Sequence, residues 1–196
     1  MHRLTVLCVE TITAAVFLIP IFLYLHKNLI HNFKTSLLYL LFALYLAAIY
    51  DAAGLPNILY FQFFPRFNHI PFRYMFSDYG SSLLNVLLFI PFGFFLPLLW
   101  QNFRRLGKTL LLGFCASLFI EFFQIFSLRA TDINDLITNV LGTSLGYLSA
   151  RCILFRFPAI AWHRPDEDLL RITGIVILVM FFPQVYISDL LWSFIL

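Results

Sequence analysis

Six long apolar stretches, separated by short polar ones, run along the chain. Each is close to the roughly 20 residues with which a helix crosses a bilayer core of about 30 Å. They cover residues 4–25, 36–53 and 81–100, two helices within 113–150 that a polar turn at 127–131 joins, and 172–196. The pattern predicts an all-α protein, a polytopic membrane helical bundle of about six transmembrane helices that forms a single domain over residues 1–196.

The first stretch has a second interpretation, because Arg3 precedes it as a basic residue precedes the apolar part of a cleaved signal peptide. Glu10 interrupts the stretch, no small-x-small cleavage pattern follows it, and its apolar length suits a transmembrane helix. The sequence therefore favours a first membrane span over a signal peptide.

Residues 57–79 separate the second and third stretches and suit neither a spanning helix nor a solvated loop. They carry nine aromatic side chains together with Arg66, Arg73 and two prolines. Aromatic and arginine side chains favour the headgroup level of a bilayer, which predicts an interfacial or re-entrant segment. An ordinary aromatic belt, whose arginines extend to the headgroups, is the alternative.

The polar residues of 113–150 fall on one face of each of its two helices. On the first helix, steps of four, four and three place on one face Gly113, Ser117, Glu121 and Gln124. On the second helix, similar steps join Asp132, Asp135, Asn139, Gly142, Gly146 and Ala150. We expect an antiparallel hairpin whose polar ends meet near the turn and whose small residues meet deeper in the bilayer.

Small residues at four-residue spacing let two membrane helices approach closely. We therefore expect Gly142 and Gly146 to pack against Gly113 and Ser117 across the hairpin. With the turn centred near Arg129, the expected opposed pairs are Glu121 with Asn139, Ser117 with Thr143, and Gly113 with Tyr147.

The composition agrees with a membrane protein, since 61% of the residues are hydrophobic, 12% are charged and the mean hydropathy is +0.88. The net charge of +3 comes from basic residues scattered over short loops, which gives no nucleic-acid-binding surface. The three cysteines have unrelated spacings, and the five histidines form no ligand cluster. We expect no disulfide framework, metal or cofactor.

Lysine and arginine are divided unequally between alternate loops. One side holds nine of them: Lys27, Lys34, Arg104, Arg105, Lys108, Arg151, Arg156, Arg164 and Arg171. The other side holds four: Arg3, Arg66, Arg73 and Arg129. By the positive-inside rule the first side is cytoplasmic, so both termini lie outside and the polar end of the hairpin opens outward.

Glu121 lies several residues inside a predicted span, where an ionised side chain costs about 2.5 to 3.5 kcal/mol and usually has a partner. Arg129 at the turn is the nearest cation and can pair with Glu121, Asp132 or Asp135. Such pairing can also be purely structural, with Asp132 or Thr131 capping the second helix. If the protein is an enzyme, Glu121, Asp132 and Asp135 are the catalytic candidates, because paired carboxylates in an apolar setting can act as acid and base.

Four motifs follow one another in order. They are Asn68-His-Ile-Pro71-Phe72, then Asn85-Val-Leu-Leu-Phe-Ile-Pro91-Phe-Gly93-Phe-Phe-Leu-Pro97, then Ser117-x-x-x-Glu121-x-x-Gln124, and then Arg129-x-x-Asp132-x-x-Asp135-x-x-x-Asn139-x-x-Gly142-x-x-x-Gly146. Together they resemble the signature motifs of the VanZ-like family, over a core of about residues 36–152. The first and last spans lie outside that core.

Members of that family are bacterial multi-pass membrane proteins, and its name comes from a protein linked to low-level teicoplanin resistance. The resemblance implies a protein of the bacterial cytoplasmic membrane with a role at the cell envelope, and it carries over no reaction. The binding residues that it implies, matched position by position, are Asn85, Glu121, Gln124, Arg129, Asp132, Asp135 and Asn139.

A polar cluster that opens outward among aromatic side chains suits the headgroup of an amphiphile. Membrane lipids and a lipid-linked or lipoglycopeptide ligand are the expected partners, with a contribution to teicoplanin resistance. Two other classes stay open, a membrane enzyme acting on a lipid-linked substrate and a transporter. Against the enzyme, no nucleophile with an adjacent base is seen. Against the transporter, no internal repeat is found.

Overall fold

The computed structural model describes residues 2–63, 65–68, 79–127, 130–158 and 164–195. In this part of the chain the all-α prediction is confirmed, since helices make up nearly all of the regular structure. The helices are α1 (His2–Leu25), α2 (Phe33–Ala52), α3 (Tyr79–Leu99), α4 (Leu106–Gln124), α5 (Ile133–Arg156), α6 (Asp166–Phe181) and α7 (Gln184–Ile195).

Four of the described helices are long and apolar enough to cross a membrane, namely α1 with its π-helical continuation to Ile30, α2, α3 and α4. The pair α6 and α7 makes a fifth span if it is counted as one. The chain is therefore a multi-pass membrane protein. We expected six spans, and the helix missing from this count is α5. It has 24 residues, enough to cross a bilayer, but its buried polar stripe makes it less apolar than the other helices.

The last expected span, 172–196, is not one straight helix. Its helical structure begins earlier, at Asp166, and breaks after Phe181, so that the axes of α6 and α7 differ by 44°. Pro183 lies in the break. Proline has no backbone N–H to donate, and its ring clashes with the preceding turn, which accounts for the bend.

The chain divides into two compact units, one made of Met1–Gln62 with Glu167–Leu196 and the other of Phe63–Asp166. In the first unit, donors from α7 surround the Glu10 carboxylate of α1. They are Gln184 Nε2 at 2.5 Å, Ser188 Oγ at 2.6 Å and Trp192 Nε1 at 3.0 Å. Because these three residues are four apart, they lie on one face of α7. The network thus satisfies a carboxylate within an apolar span.

In the second unit, α5 packs closely against α3. A Cβ atom added to Gly146 would lie 1.9 Å from the carbonyl oxygen of Ile90, and one added to Gly142 would lie 2.3 Å from that of Val86. These two glycines therefore meet α3 and not α4, the helix that we expected them to meet. The spacing of the glycines identified a face of α5 that another helix can approach closely. Both α3 and α4 are neighbours of α5, and the spacing could not show which of them packs against that face.

Residues 64 and 69–78 lie outside the described residues, so the interfacial or re-entrant segment stays a prediction, as does any role of the motif beginning at Asn68. Within the described part of 57–79, two residues form a short strand, β1 (Phe67–Asn68). It pairs in parallel with β2 (Thr131–Asp132), and Thr131 N donates to the carbonyl oxygen of Arg66 at 2.9 Å. The start of α5 is thereby tied to this segment.

We predict that Gly146→Ala lowers stability by about 1 to 3 kcal/mol, because the added methyl group has to push the α3 and α5 backbones apart. Gly174→Ala in α6 is the matched control, since nothing lies within 4 Å of a Cβ atom there. Thermal unfolding of the purified protein in detergent measures both variants. Equal melting temperatures for the two would contradict the close contact between α3 and α5.

Candidate functional site

The Glu121 carboxylate connects the end of α4 to the beginning of α5. Its side chain is only 5% exposed, and its Oε2 accepts a hydrogen bond from the backbone N–H of Asp132 at 2.8 Å. The main chain of Glu121 takes part as well, because Thr131 Oγ1 donates a hydrogen bond to its carbonyl oxygen at 3.0 Å. Two hydrogen bonds therefore hold β2 at the level of Glu121.

Asp132 is the N-cap of α5. Its Oδ1 accepts from the backbone N–H of Asn134 at 2.8 Å, which satisfies one of the donors that the first turn of a helix leaves unpaired. The capping role expected for Asp132 is thus observed, and its part in a binding site stays a prediction. Its backbone and its side chain both take part in starting the helix.

Below this level the two helices share a buried polar contact. Asn139 Nδ2 donates to Ser117 Oγ at 2.9 Å, and both side chains are buried. One turn deeper, a Cβ atom added to Gly113 would meet the side chain of Thr143 at 2.6 Å.

The register of the hairpin therefore differs by one helical turn from the expected one, in which Glu121 lay opposite Asn139. The reason is the extended pair Thr131–Asp132, which takes up the level of Glu121 before α5 begins.

The other expected site residues are only partly brought together. Gln124 is buried at the end of α4, and Asp135 is half-buried in the first turn of α5. Asn85 is half-buried on α3, next to Val86, whose carbonyl oxygen faces Gly142. Arg129 lies outside the described residues, so its pairing with Glu121, Asp132 or Asp135 stays a prediction.

An open groove of about 530 Å³ runs along α4 beside these residues. Its walls are mostly apolar, and they include the Glu121 and Thr131 side chains. The lining residues are Cys115, Leu118, Phe119, Glu121, Phe122, Ile125 and Thr131. The exposed surface of the groove is thus almost wholly apolar, and Glu121 at its edge is itself buried.

The apolar lining of the groove and the bonds of Thr131 could not be predicted from the sequence. Leu118, Phe119 and Phe122 look like any lipid-facing side chains in the sequence, and a two-residue strand has no periodicity to detect. The described residues contain no group of three or more His, Cys, Asp or Glu side chains that could hold a metal ion.

Comparison with known proteins adds a family match. The family model described as VanZ/LLP1 matches residues 33–156 of this chain. Protein VanZ of Enterococcus faecium is 45% identical over 73 residues, which is 36% of this chain and 44% of that protein. The match thus spans less than half the length of this relative. No solved structure matches the chain.

We predict that Asp132→Ala destabilises the protein by about 0.5 to 2 kcal/mol through loss of the N-cap, whereas Asp132→Asn, which keeps an acceptor oxygen, stays near the parent. Thermal unfolding of the two variants in the same detergent provides the comparison. If the asparagine variant lost as much stability as the alanine variant, the negative charge and not the cap would be what α5 requires.

Proposed function

The chain belongs to the VanZ/LLP1 family, as its polar motifs predicted, and on that premise we propose that it is an envelope protein of the bacterial cytoplasmic membrane that binds an amphiphile. The ligand's polar headgroup meets the site around Glu121, Gln124, Asp132, Asp135 and Asn139. The ligand is a lipid-linked envelope component or a lipoglycopeptide. Through it the protein contributes to resistance to teicoplanin, a glycopeptide that carries an acyl chain.

The position of Glu121 carries this proposal. A carboxylate inside a membrane span is costly and is by default a sign of function. Glu121 also borders the apolar groove on α4, so its buried carboxyl group lies close to a surface that an acyl chain can contact. A carboxylate has about four lone-pair sites, so Glu121 can bond the Asp132 N–H and also accept from a ligand.

A binding role is better supported than an acid–base role. An acid–base pair made of Asp132 and Asp135 would need both carboxyl groups for substrate, and Asp132 already caps α5. Glu121 likewise holds the backbone of Asp132. Both contacts suit a rigid binding site, since they fix the carboxylates in place before a ligand arrives.

The proposed site faces outward. With α3 and α4 joined on the cytoplasmic side, the basic residues near Gln101–Arg104 and at the end of α5 follow the positive-inside rule. We count α5 as a sixth span because it has 24 residues, and both termini then lie outside.

We predict that a membrane-impermeant thiol reagent labels Ala130→Cys and spares Gln101→Cys on intact cells, in a background without the three native cysteines. Both positions are exposed, so accessibility of the side chain itself is matched. Permeabilised cells should label both. Labelling of Gln101→Cys alone on intact cells would reverse the orientation and place the site in the cytoplasm.

We predict that Glu121→Gln and Asp135→Asn each return teicoplanin susceptibility to that of cells lacking the protein, at unchanged expression and melting temperature. The glutamine keeps an acceptor for the Asp132 N–H, so the fold survives while a charge-assisted bond to the ligand, worth about 1.5 to 3 kcal/mol, is lost. Broth dilution with and without the variant genes measures this.

Asp189→Asn is the matched control, because Asp189 is an exposed carboxylate on α7. It should leave susceptibility at the parent value. If Glu121→Gln and Asp135→Asn lowered function only in proportion to folded protein, their role would be structural. If both kept full activity, the binding site would have to lie elsewhere.

A further inference from the structure

The end of the second unit at which α4 begins carries a cluster of basic side chains. We call Arg104, Arg105, Lys108 and Arg151 the basic cluster. Tyr147 Oη on α5 donates to the carbonyl oxygen of Arg104 at 2.8 Å, and Arg151 Nη1 lies 3.5 Å from the same Tyr147 oxygen. Arg105 and Lys108 lie at the start of α4, where the Lys108 N–H donates to the carbonyl oxygen of Arg105 at 3.1 Å. The starting turn of α4 and the last turns of α5 thus bring these cations together.

Few carboxylates balance these charges. Six basic residues belong to this end, namely the basic cluster, Arg156 and Arg164. Asp166 lies here as well and accepts from Asn102 Nδ2 at 2.7 Å, and Glu167 follows it in the chain. The stretch 159–163, which lies outside the described residues, contains no acidic residue. This end therefore keeps an excess of positive charge.

The hydrogen bonds of Lys108 and Arg151 described here go to uncharged partners. Lys108 Nζ donates to Oδ1 of Asn102, and Arg151 Nη1 meets the Tyr147 hydroxyl. Both basic side chains are exposed. An ammonium has three donors and a guanidinium has five, so each side chain can also donate to an anion.

The start of a helix is an unfavourable place for positive charge. The first turn carries a partial positive charge of its own, and no side chain caps α4 at Arg105. Arg105 and Lys108 add like charge to this turn. A bound anion would relieve the repulsion, and a phosphate group suits both the arginine fork and the backbone donors of a first turn.

Apolar side chains beside the basic cluster favour a lipid as the source of that phosphate. Leu106 is 43% exposed, and Phe155 and Phe157 are 91% and 54% exposed. The helix α4 is long and apolar enough to cross a membrane, so its start lies near the bilayer surface. Basic side chains at that level meet lipid phosphates, and the apolar side chains next to them meet acyl chains.

We propose that the basic cluster binds the phosphate group of an anionic phospholipid. Lys108 contributes from α4 and Arg151 from α5, so one headgroup contacts both helices. The proposal does not rest on the proposed function, because Lys108 and Glu121 are about 20 Å apart along α4 at 1.5 Å per residue.

The test uses the full chain in a non-ionic detergent with equal amounts of dioleoyl phosphatidylglycerol and dioleoyl phosphatidylethanolamine. Native mass spectrometry counts the retained lipids, which share their acyl chains and differ in headgroup charge. Each basic residue near a membrane surface favours an anionic lipid by roughly fivefold. We therefore expect the parent to prefer phosphatidylglycerol, and Lys108→Gln with Arg151→Gln to lower its retention by about tenfold.

Lys27→Gln with Lys34→Gln is the matched control. Both lysines are exposed, the sequence predicts them on the same side of the membrane as the basic cluster, and the pair loses the same charge. This control should keep the parental preference. Lys108→Arg with Arg151→Lys, which retains both charges, should keep most of it.

An equal loss in the two glutamine pairs would mean that only the total charge matters, and would overturn the proposal. So would a parental preference in Lys108→Gln with Arg151→Gln at the parental melting temperature. If that pair does not fold, the single variants Lys108→Gln and Arg151→Gln provide the same comparison, each with a loss of roughly fivefold.

A last comparison separates a lipid from a soluble phosphate. Sodium phosphate that replaces sodium chloride at constant ionic strength should leave the retained phosphatidylglycerol unchanged. Displacement of most of this lipid would assign the basic cluster to a soluble phosphate compound and overturn the lipid assignment.

Discussion

A carboxylate that enters a bilayer has to find hydrogen-bond donors inside the protein, and Glu121 finds one in the backbone that starts α5. Together with the bond from Thr131 Oγ1 to the Glu121 carbonyl oxygen, this hydrogen bond holds the extended pair Thr131–Asp132 at this level, and Asp132 in turn caps the helix. The capped helix then presents its glycines to α3 and its Asn139 side chain to α4. The contacts of α5 with both of its neighbouring helices thus begin at the level of one buried carboxyl group.

The Glu10 carboxylate also needs hydrogen-bond donors inside the protein, and it obtains them in a different way. Glu121 is bonded by backbone eleven residues further along the chain, so its network is local to one hairpin. Glu10 is bonded by side chains of α7, 174 to 182 residues away. Glu121 lies inside the region that matches the VanZ/LLP1 model and Glu10 lies outside it. A polar network within the matched region is the better candidate for a function shared across the family.

Much of the fold could be predicted because apolar length and helical spacing are local properties of the sequence. The helices, the polar stripe and the family motifs were all visible in this way. The register that pairs Ser117 with Asn139 could not be predicted, because it depends on how the turn between the helices is built. The spacing around Gly146 also did not show which neighbouring helix this glycine contacts. Pro183 does indicate a break after α6. The apolar length of residues 172–196 nevertheless led us to expect one continuous span there.

The bonds of Glu10 also set an order of events during synthesis. At about 5 to 20 residues per second, α7 is made about 10 to 35 s after Glu10 leaves the peptidyl-transferase centre. During that interval none of the three donors from α7 exists, and the carboxylate of α1 has to be kept hydrated at an interface or sheltered by the insertion machinery. The helix α1 thus reaches its final surroundings only after α7 has been translated.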